Sequence, residues 1–197
     1  MSTATGDEQD QADMARLAAG HDAALNDLMA RHSARVFGYL VRLLGNETEA
    51  EDLAQEAFVR VYLSRDRFRP SARFSTWLFS IATNLARDRL RWRARHPNVS
   101  VEADNSDSES GLKHTLAASD PTPAENLASS ERAAAVRQAV AELPEELRLP
   151  LVLVEYEEQS HAEIAAVLDC SPKAVEMRLY RARQQLREKL SRWLKNF

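Results

Sequence analysis

Apolar side chains in the first half of the chain recur every three or four residues, which is the period of an amphipathic α-helix. One stripe over residues 25–44 predicts a long helix that ends at Gly45. Asn46 is placed to cap the next helix, and Glu49 gives this start the form of a capping box. The stripe of that second helix spans residues 50–61. The pattern therefore predicts two consecutive helices joined by a tight turn.

A third helix is expected after the break at Pro70. Ser75 is placed to cap this helix. Its inner face would carry Trp77, Leu78, Ile81, Ala82 and Leu85. Three helices over residues 22–92 can close a small hydrophobic core, so we expect one helical domain over residues 12–96.

Two segments have no such period. Residues 97–127 are rich in proline, serine and acids, and Lys113 is their only lysine or arginine. A segment of this composition buries too little apolar surface to fold alone, which predicts a flexible acidic linker between two domains. The acidic residues 1–11 are also predicted to be disordered.

The second domain, residues 128–197, begins with two apolar stripes. They are Ala133, Val136, Val140 and Leu143, followed by Leu147, Leu151 and Val154. Pro150 lies inside the second stripe and is expected to bend that helix. Residues 162–168 then predict a short helix, and after a turn a last helix begins with Ser171 as its N-cap and Pro172 at its first position. This succession is typical of a helix-turn-helix unit.

Composition favours an all-α protein of two small helical domains, since the 197 residues include only five glycines. The net charge of −4 does not by itself favour nucleic-acid binding. Arginines nevertheless crowd residues 60–95 and 178–192, whereas acids crowd the N-terminus and the predicted linker. The overall charge therefore hides two basic patches.

Several classes of protein are disfavoured. The single cysteine, Cys170, excludes an internal disulfide. No run approaches the roughly 20 apolar residues of a membrane span, and the N-terminus does not resemble a signal peptide, so we expect a cytoplasmic protein without membrane insertion. We find no metal-ligand spacing, phosphate-binding glycine loop or nucleophile elbow, so we expect no metal, no cofactor and no enzymatic activity.

The two basic patches suit two forms of nucleic acid. The last helix carries a basic stripe behind a helix-turn-helix, which favours a duplex groove over an ordinary hairpin with a solvated basic face. Residues 74–76 place an aromatic ring and two hydroxyls before the arginines of residues 87–95, which is suited to unpaired bases and their phosphates. The alternative for this segment is a core of aromatic rings, and Trp77 fits that alternative.

Four motifs stand in one order across both domains: residues 50–58 (AEDLAQEAF), 74–79 (FSTWLF), 143–148 (LPEELR) and the helix over 171–183. They resemble the extracytoplasmic-function (ECF) sigma factors of bacterial RNA polymerase, over roughly residues 12–193. The resemblance implies sigma region 2, a domain of three or four helices, before the linker and sigma region 4 after it. It also implies binding to core RNA polymerase and promoter DNA, and a partner anti-sigma factor.

The resemblance further implies roles for individual residues. Core-polymerase binding is expected of Asp52, Gln55 and Glu56. Recognition and melting of the −10 element are expected of Arg73, Phe74, Ser75, Thr76, Asn84, Arg87 and Arg91. Reading of the −35 element is expected of Lys173, Glu176, Met177, Arg178, Tyr180, Arg181 and Arg183. Residues 73–76 would line the loop that captures a flipped base.

Lys173, Ala174, Glu176 and Met177 depart from the family pattern, which often has Gly, Thr, Lys or Arg, and Ser at these four positions. An acid at position 176 is unusual. A carboxylate at this position can accept a hydrogen bond from cytosine N4, repel a phosphate, or pair with Arg178 or Tyr180. Two other functions also stay open on the residues alone. A stand-alone helix-turn-helix regulator leaves residues 50–95 without a role, and a helical adaptor that binds only protein needs no arginines at 87–95.

Overall fold

The computed structural model of the protein describes residues 3–96 and 123–195, with side chains described over 6–96 and 131–191. Within these ranges the chain forms eight α-helices and no β-strand, so the predicted all-α class is confirmed. The helices are α1 (Thr3–Ala18), α2 (Ala24–Leu44), α3 (Glu47–Leu63), α4 (Phe74–Arg95), α5 (Pro123–Ala141), α6 (Glu145–Glu155), α7 (His161–Leu168) and α8 (Pro172–Lys195), with a short 3₁₀ helix, Arg65–Arg67, between α3 and α4.

Helix α2 is the centre of the first domain and packs on α1, α3 and α4. It ends as predicted at Gly45, whose φ of 65° lies in the left-handed region that glycine adopts readily. Asn46 caps α3, since its side-chain oxygen accepts the Glu49 amide at 2.8 Å. The Glu49 carboxylate does not complete a capping box, because it binds Arg93 at 2.5 Å. That ion pair ties α3 to α4.

The prediction of disorder over residues 1–11 is wrong from Thr3 onward, because these residues belong to α1. Asp10 accepts hydrogen bonds from Arg31 Nε at 2.9 Å and His32 Nε2 at 2.7 Å. Met14 is buried on the same helix. The partners of Asp10 lie on α2, 21 and 22 residues away, so no local pattern announces them.

Helix α4 begins at Phe74 with Arg73 at the N-cap position, so the prediction that Ser75 caps it is wrong. The Phe74 side chain is only 1% exposed. Its ring centroid lies 6.2 Å from that of Phe68 and 6.3 Å from that of Trp77. Burial of this aromatic cluster therefore positions the start of α4 without a side-chain cap.

The second domain begins earlier than predicted. Helix α5 starts at Pro123, so residues 123–127 are helical, and the predicted linker must end before them. Proline suits a first helical turn because the missing amide hydrogen has no partner there. The remainder of the predicted linker, residues 97–122, lies outside the described residues. Helix α6 continues through Pro150, which is buried.

The helix-turn-helix unit is formed by α7 and α8. A full capping box between Ser160 and Glu163 starts α7, a signal that we missed in the sequence. Asp169 makes the turn in the left-handed region, with φ of 51°. The Ser171 hydroxyl then accepts the Ala174 amide at 3.1 Å, which confirms the predicted N-cap of α8.

The two domains lie against each other. Helix α4 packs on α7, and α2 packs on α6. Arg35 Nε on α2 donates to the Glu157 carboxylate at 3.1 Å. The Arg42 guanidinium stacks over the Tyr156 ring at 4.2 Å from its centroid. The second domain is thereby set beside the α4 residues expected to contact DNA.

Candidate nucleic-acid and polymerase interfaces

Asn84, Arg87 and Arg91 share one face of α4, since they stand three and four residues apart. Asn84 is exposed. Arg91 is also exposed and lies 3.2 Å from Asp88 of its own helix. Arg87 is half-buried and lies 3.3 Å from Glu145 of the second domain. The structure therefore brings these three predicted residues together, with one of them in an interdomain ion pair.

A groove of about 400 Å³ opens beside Asn84, between the end of α3, the 3₁₀ helix and α4. Its lining residues are Arg60, Leu63, Ser64, Arg67, Ile81 and Asn84. Two guanidinium groups, an amide and apolar surface meet there without an acid among the lining residues. A nucleotide needs this combination, because the faces of its base are apolar, the edges of the base form hydrogen bonds and its phosphate is anionic.

The sequence analysis missed Arg60 and Arg67. They lie on α3 and the 3₁₀ helix, outside the predicted DNA-binding segment over residues 73–91. Arg60 donates to Glu56 one turn earlier on α3 at 2.9 Å. Arg67 is exposed at the end of the 3₁₀ helix. The aromatic residues around position 74 are adjacent in the sequence and therefore visible there, whereas the groove is formed only when the three elements pack together.

The predicted base-capturing loop over residues 73–76 does not form as a unit. Phe74 is in the core, so our expectation that it contacts a base is corrected. Arg73 Nη2 lies 2.6 Å from Asp7 of α1. Arg73 also binds Glu163 of α7, and the hydrogen bonds to Asp7 and Glu163 raise the pKa of Arg73 above its usual value. Ser75 and Thr76 are half-buried.

A polar cleft of about 480 Å³ separates α1, α2 and the start of α4 from the segment between α6 and α7. Arg35, Arg73, Ser75, Glu157 and Glu163 are among its lining residues. Burial raises the pKa of the Glu157 carboxyl, and the charge of Arg35 opposes this rise. Opposite charges thus face one another across the domain boundary.

The predicted polymerase-binding residues lie on α3. Asp52 and Gln55 are exposed, and Glu56 is half-buried. Val59 follows on the same face with 49% of its surface exposed. An acidic stripe that continues into an exposed apolar side chain is suited to a partner helix with basic and apolar groups.

The outward face of α8 carries most of the residues predicted to read a duplex. Lys173, Glu176, Met177, Tyr180 and Arg181 are all exposed. Lys173 Nζ lies 2.8 Å from Glu176 Oε2, so the acid pairs with lysine rather than with Arg178 or Tyr180. This hydrogen bond lowers the pKa of the Glu176 carboxyl, which is therefore ionised at neutral pH.

Arg178 and Arg183 are engaged elsewhere. Arg178 is half-buried, and its Nη1 lies 3.5 Å from the Cys170 sulfur in the turn. Arg183 Nη2 donates to Glu155 of α6 at 2.8 Å. The two arginines therefore support the helix-turn-helix unit, and the candidate reading edge of α8 is formed by the residues near its N-terminus.

Two kinds of feature are missing from the part of the chain that the structure describes. No group of three or more histidine, cysteine, aspartate or glutamate side chains is arranged there to hold a metal ion. None of the helices in that part is long and apolar enough to cross a bilayer.

The chain matches two known protein families, one in each domain. Sigma-70 region 2 matches residues 28–96, which cover α2 to α4. Sigma-70 region 4 matches residues 133–186, which include the helix-turn-helix unit. The two matches therefore coincide with the two domains that carry the candidate interfaces.

Curated relatives match over nearly their whole length. RNA polymerase sigma-H factor of Pseudomonas aeruginosa is 36% identical over 180 residues, which are 91% of this chain and 92% of the relative. ECF RNA polymerase sigma factor SigW of Bacillus subtilis is 34% identical over 172 residues, with coverage of 87% and 91%. The ECF sigma-E factor of Escherichia coli is 33% identical over 185 residues, with coverage of 92% and 94%.

Solved structures agree with this. CnrH in complex with the cytosolic domain of CnrY has a TM-score of 0.66 and 29% identity, covering 93% of this chain and 97% of CnrH. The sigma factor RpoE of Bartonella quintana, solved with the anti-sigma factor NepR, has the same fold at a TM-score of 0.63 and 22% identity, with coverage of 84% and 96%.

The regional matches, the relatives and the two DNA-facing surfaces lead to one identification. The chain belongs to the ECF sigma factors of RNA polymerase, non-enzymatic initiation factors that bind core polymerase and recognise promoter DNA.

Proposed function

We propose that the non-template strand of the −10 element follows the exposed face of α4 and inserts one flipped base into the groove beside Asn84. The two arginines of the groove and Arg91 support this path, because phosphates on both sides of a flipped base need cations. Flipping costs a few kcal/mol, and stacking on Leu63 and Ile81 together with hydrogen bonds to Asn84 offsets that cost. The acid-free lining of the groove is the observation that carries this proposal.

The acidic stripe of α3 is the proposed docking face for core polymerase. Asp52, Gln55 and Glu56 supply acceptors, and Val59 supplies exposed apolar surface beside them. Interfaces commonly combine such a central apolar contact with a polar rim. We expect Val59→Ser to weaken core binding about tenfold, since a hot-spot truncation costs about 1–2 kcal/mol. Glu146→Gln, an exposed change on α6, serves as its control.

Helix α8 is the proposed reader of the −35 element. Its first two turns present charged and apolar side chains to the solvent, which is the arrangement by which a recognition helix meets base edges. Arg178 and Arg183 act in this proposal through the turn and α6, because both contact those elements. Arg181 remains available for a phosphate or a base.

Promoter opening further requires the domains to move apart. Arg73 and Arg87 would serve DNA only after their bonds to Glu163 and Glu145 break. An exposed ion pair contributes about 0.2–1 kcal/mol, so these pairs add a small, reversible contribution to the packing of α4 on α7 and of α2 on α6. Binding to core polymerase would supply the free energy for separation.

We also propose a cytoplasmic location and an anti-sigma partner. The structural neighbour CnrH, 29% identical, was solved with the cytosolic domain of CnrY. A partner of this kind would act where the polymerase acts. Co-purification of the tagged full chain from its source organism, followed by competition between the captured protein and core polymerase, tests this proposal.

Run-off transcription with core polymerase on genomic fragments tests the proposed function itself. We expect transcripts with defined starts only when the full-length protein is present, and fewer of them with the double variant Arg67→Ala, Asn84→Ala. Arg132→Ala, an exposed change on α5, is the matched control. Duplex binding without any protein-dependent transcript would instead support a stand-alone helix-turn-helix regulator.

A further inference from the structure

The N-terminal end of α8 carries an ion pair whose two members face the solvent. Lys173 and Glu176 stand in the first two turns after the Ser171 cap, with side chains 73% and 54% exposed. The carboxylate oxygen and the ammonium nitrogen are 2.8 Å apart. In helix-turn-helix proteins this end of the recognition helix reaches the base edges. The pair therefore presents an acceptor and a donor side by side at the reading edge.

One base pair offers the matching groups in the major groove. A C·G pair presents the cytosine N4 amino donor beside the guanine O6 acceptor, and guanine N7 is a second acceptor. The N4–H···O6 hydrogen bond inside the base pair has a length of about 2.9 Å. A carboxylate that accepts from N4 and an ammonium that donates to O6 would thus meet a partner of nearly equal spacing.

The same groups discriminate against an A·T pair. In an A·T pair, the adenine N6 donor lies next to the N7 acceptor, which repels the carboxylate. Thymine offers only O4 to the ammonium, because a methyl group lies beside that oxygen. In the C·G pair the ammonium gains both O6 and N7, and the carboxylate has no acceptor on its own base. The electrostatic balance therefore favours C·G.

Two neighbouring arginines of α8 are directed away from the Lys173–Glu176 pair. Arg178 is turned towards Cys170 and Arg183 towards Glu155. Lys173 also offsets the repulsion between the Glu176 carboxylate and the phosphates, which an isolated acid would suffer. We propose that Lys173 and Glu176 together read one C·G base pair of the upstream promoter element, with Glu176 on the cytosine and Lys173 on the guanine.

The proposal rests on the proposed function of α8 as the −35 reader, and one experiment separates the two. Promoters with a randomised −35 element and a constant −10 element are selected for transcription by core polymerase with the full-length protein. We expect enrichment of cytosine at one position by about tenfold, the lower part of the range for a good base contact. Glu176→Gln should shift that position towards adenine, because glutamine reads adenine N6 and N7.

Lys173→Ala should relax the same position without creating a new preference. Glu188→Gln, which removes an exposed carboxylate further along α8, is the control and should leave the selected sequences unchanged. If Glu176→Gln keeps the preference for cytosine, Lys173 and Glu176 do not read the C·G pair, although recognition of the −35 element by α8 stands. Transcription without any enrichment upstream overturns both −35 reading by α8 and the pair.

Discussion

The two helices proposed to contact DNA differ in what their basic side chains bind. On α4, Arg73 binds Asp7 and Glu163, and Arg87 lies 3.3 Å from Glu145. On α8, Lys173 pairs with Glu176 of the same helix, and its side chain is 73% exposed. The first surface is thus partly covered by the second domain, whereas the second surface is open to a duplex.

Because of this difference, the surfaces of α4 and α8 need not become accessible to DNA at the same time. A folded, isolated chain can offer α8 to duplex DNA while acids of the second domain hold arginines beside the strand-binding face of α4. In the proposed function, polymerase has to bind both domains and to separate them. Control of promoter melting would then lie at the domain boundary rather than in either domain alone.

The largest expected effect is on promoter opening at α4, with little change in duplex binding through α8. Arg67→Ala with Asn84→Ala removes a cation and the amide from the groove, which should lower promoter opening about 100-fold, since two base or phosphate contacts are lost at roughly 1–2 kcal/mol each. Permanganate reactivity of the −10 thymines measures opening. Binding of the closed duplex through α8 should stay within about twofold of wild type. An equal loss in both assays would contradict the division of roles.

The next prediction concerns the acids of the second domain that bind arginines of the first domain and partly cover α4. Replacing Glu145, Glu157 and Glu163 by glutamine removes the acids that hold the first domain's arginines. Glutamine also keeps a capping residue at position 163. Free protein should then bind a single-stranded −10 oligonucleotide about tenfold more tightly. The partly exposed ion pairs of Glu145 and Glu163, about 0.2–1 kcal/mol each, and the pair between Arg35 and the buried Glu157 carboxylate would no longer compete.

Fluorescence anisotropy measures this affinity, and Glu146→Gln is the matched control for charge. The triple variant should bind −35 duplex with no more than a small gain from its lower negative charge. If the oligonucleotide affinity of the triple variant equals that of the control, the acids do not restrain α4.

The smallest effect concerns the anchor of α1, whose Asp7 also binds Arg73. Burial disfavours the charged form of Asp10, but hydrogen bonds from His32 and Arg31 outweigh it and lower the pKa of this carboxyl. A lowered folded-state pKa gives stability that is present above the unfolded value of about 3.8 and is lost as pH falls below it.

Asp10→Asn should therefore lower the free energy of unfolding by about 1 kcal/mol at neutral pH. It should also flatten the loss of stability between pH 4 and lower values. Urea unfolding at a series of pH values measures both effects. A wild-type slope in the variant would show that Asp10 does not carry the linkage.

Most of the fold was predictable because its signals are local. The stripe of α2, the stop at Gly45 and the Ser171-Pro172 start of α8 each depend on residues within a few positions of one another, and all three predictions are confirmed. Each of these elements is set by helical periodicity and capping, which sequence displays directly.

The features that could not be predicted are contacts between side chains that are far apart in the sequence. Asp10 orders α1 through residues of α2, and Arg73 is held by acids from α1 and α7. The groove likewise joins Arg60 and Arg67 to Asn84 of another helix. Such juxtapositions arise only when helices pack. The predicted base contact of Phe74 is wrong for the same reason, because packing buries its ring in the core.

The distance between the domains tests the central claim most directly. Spin labels at exposed alanines, Ala94→Cys on α4 and Ala166→Cys on α7, in a Cys170→Ser background, report it by pulsed electron paramagnetic resonance. We predict one narrow distance in the free protein and a longer one with core polymerase and promoter DNA. A broad distribution in the free protein, or one distance unchanged by polymerase, would contradict the account.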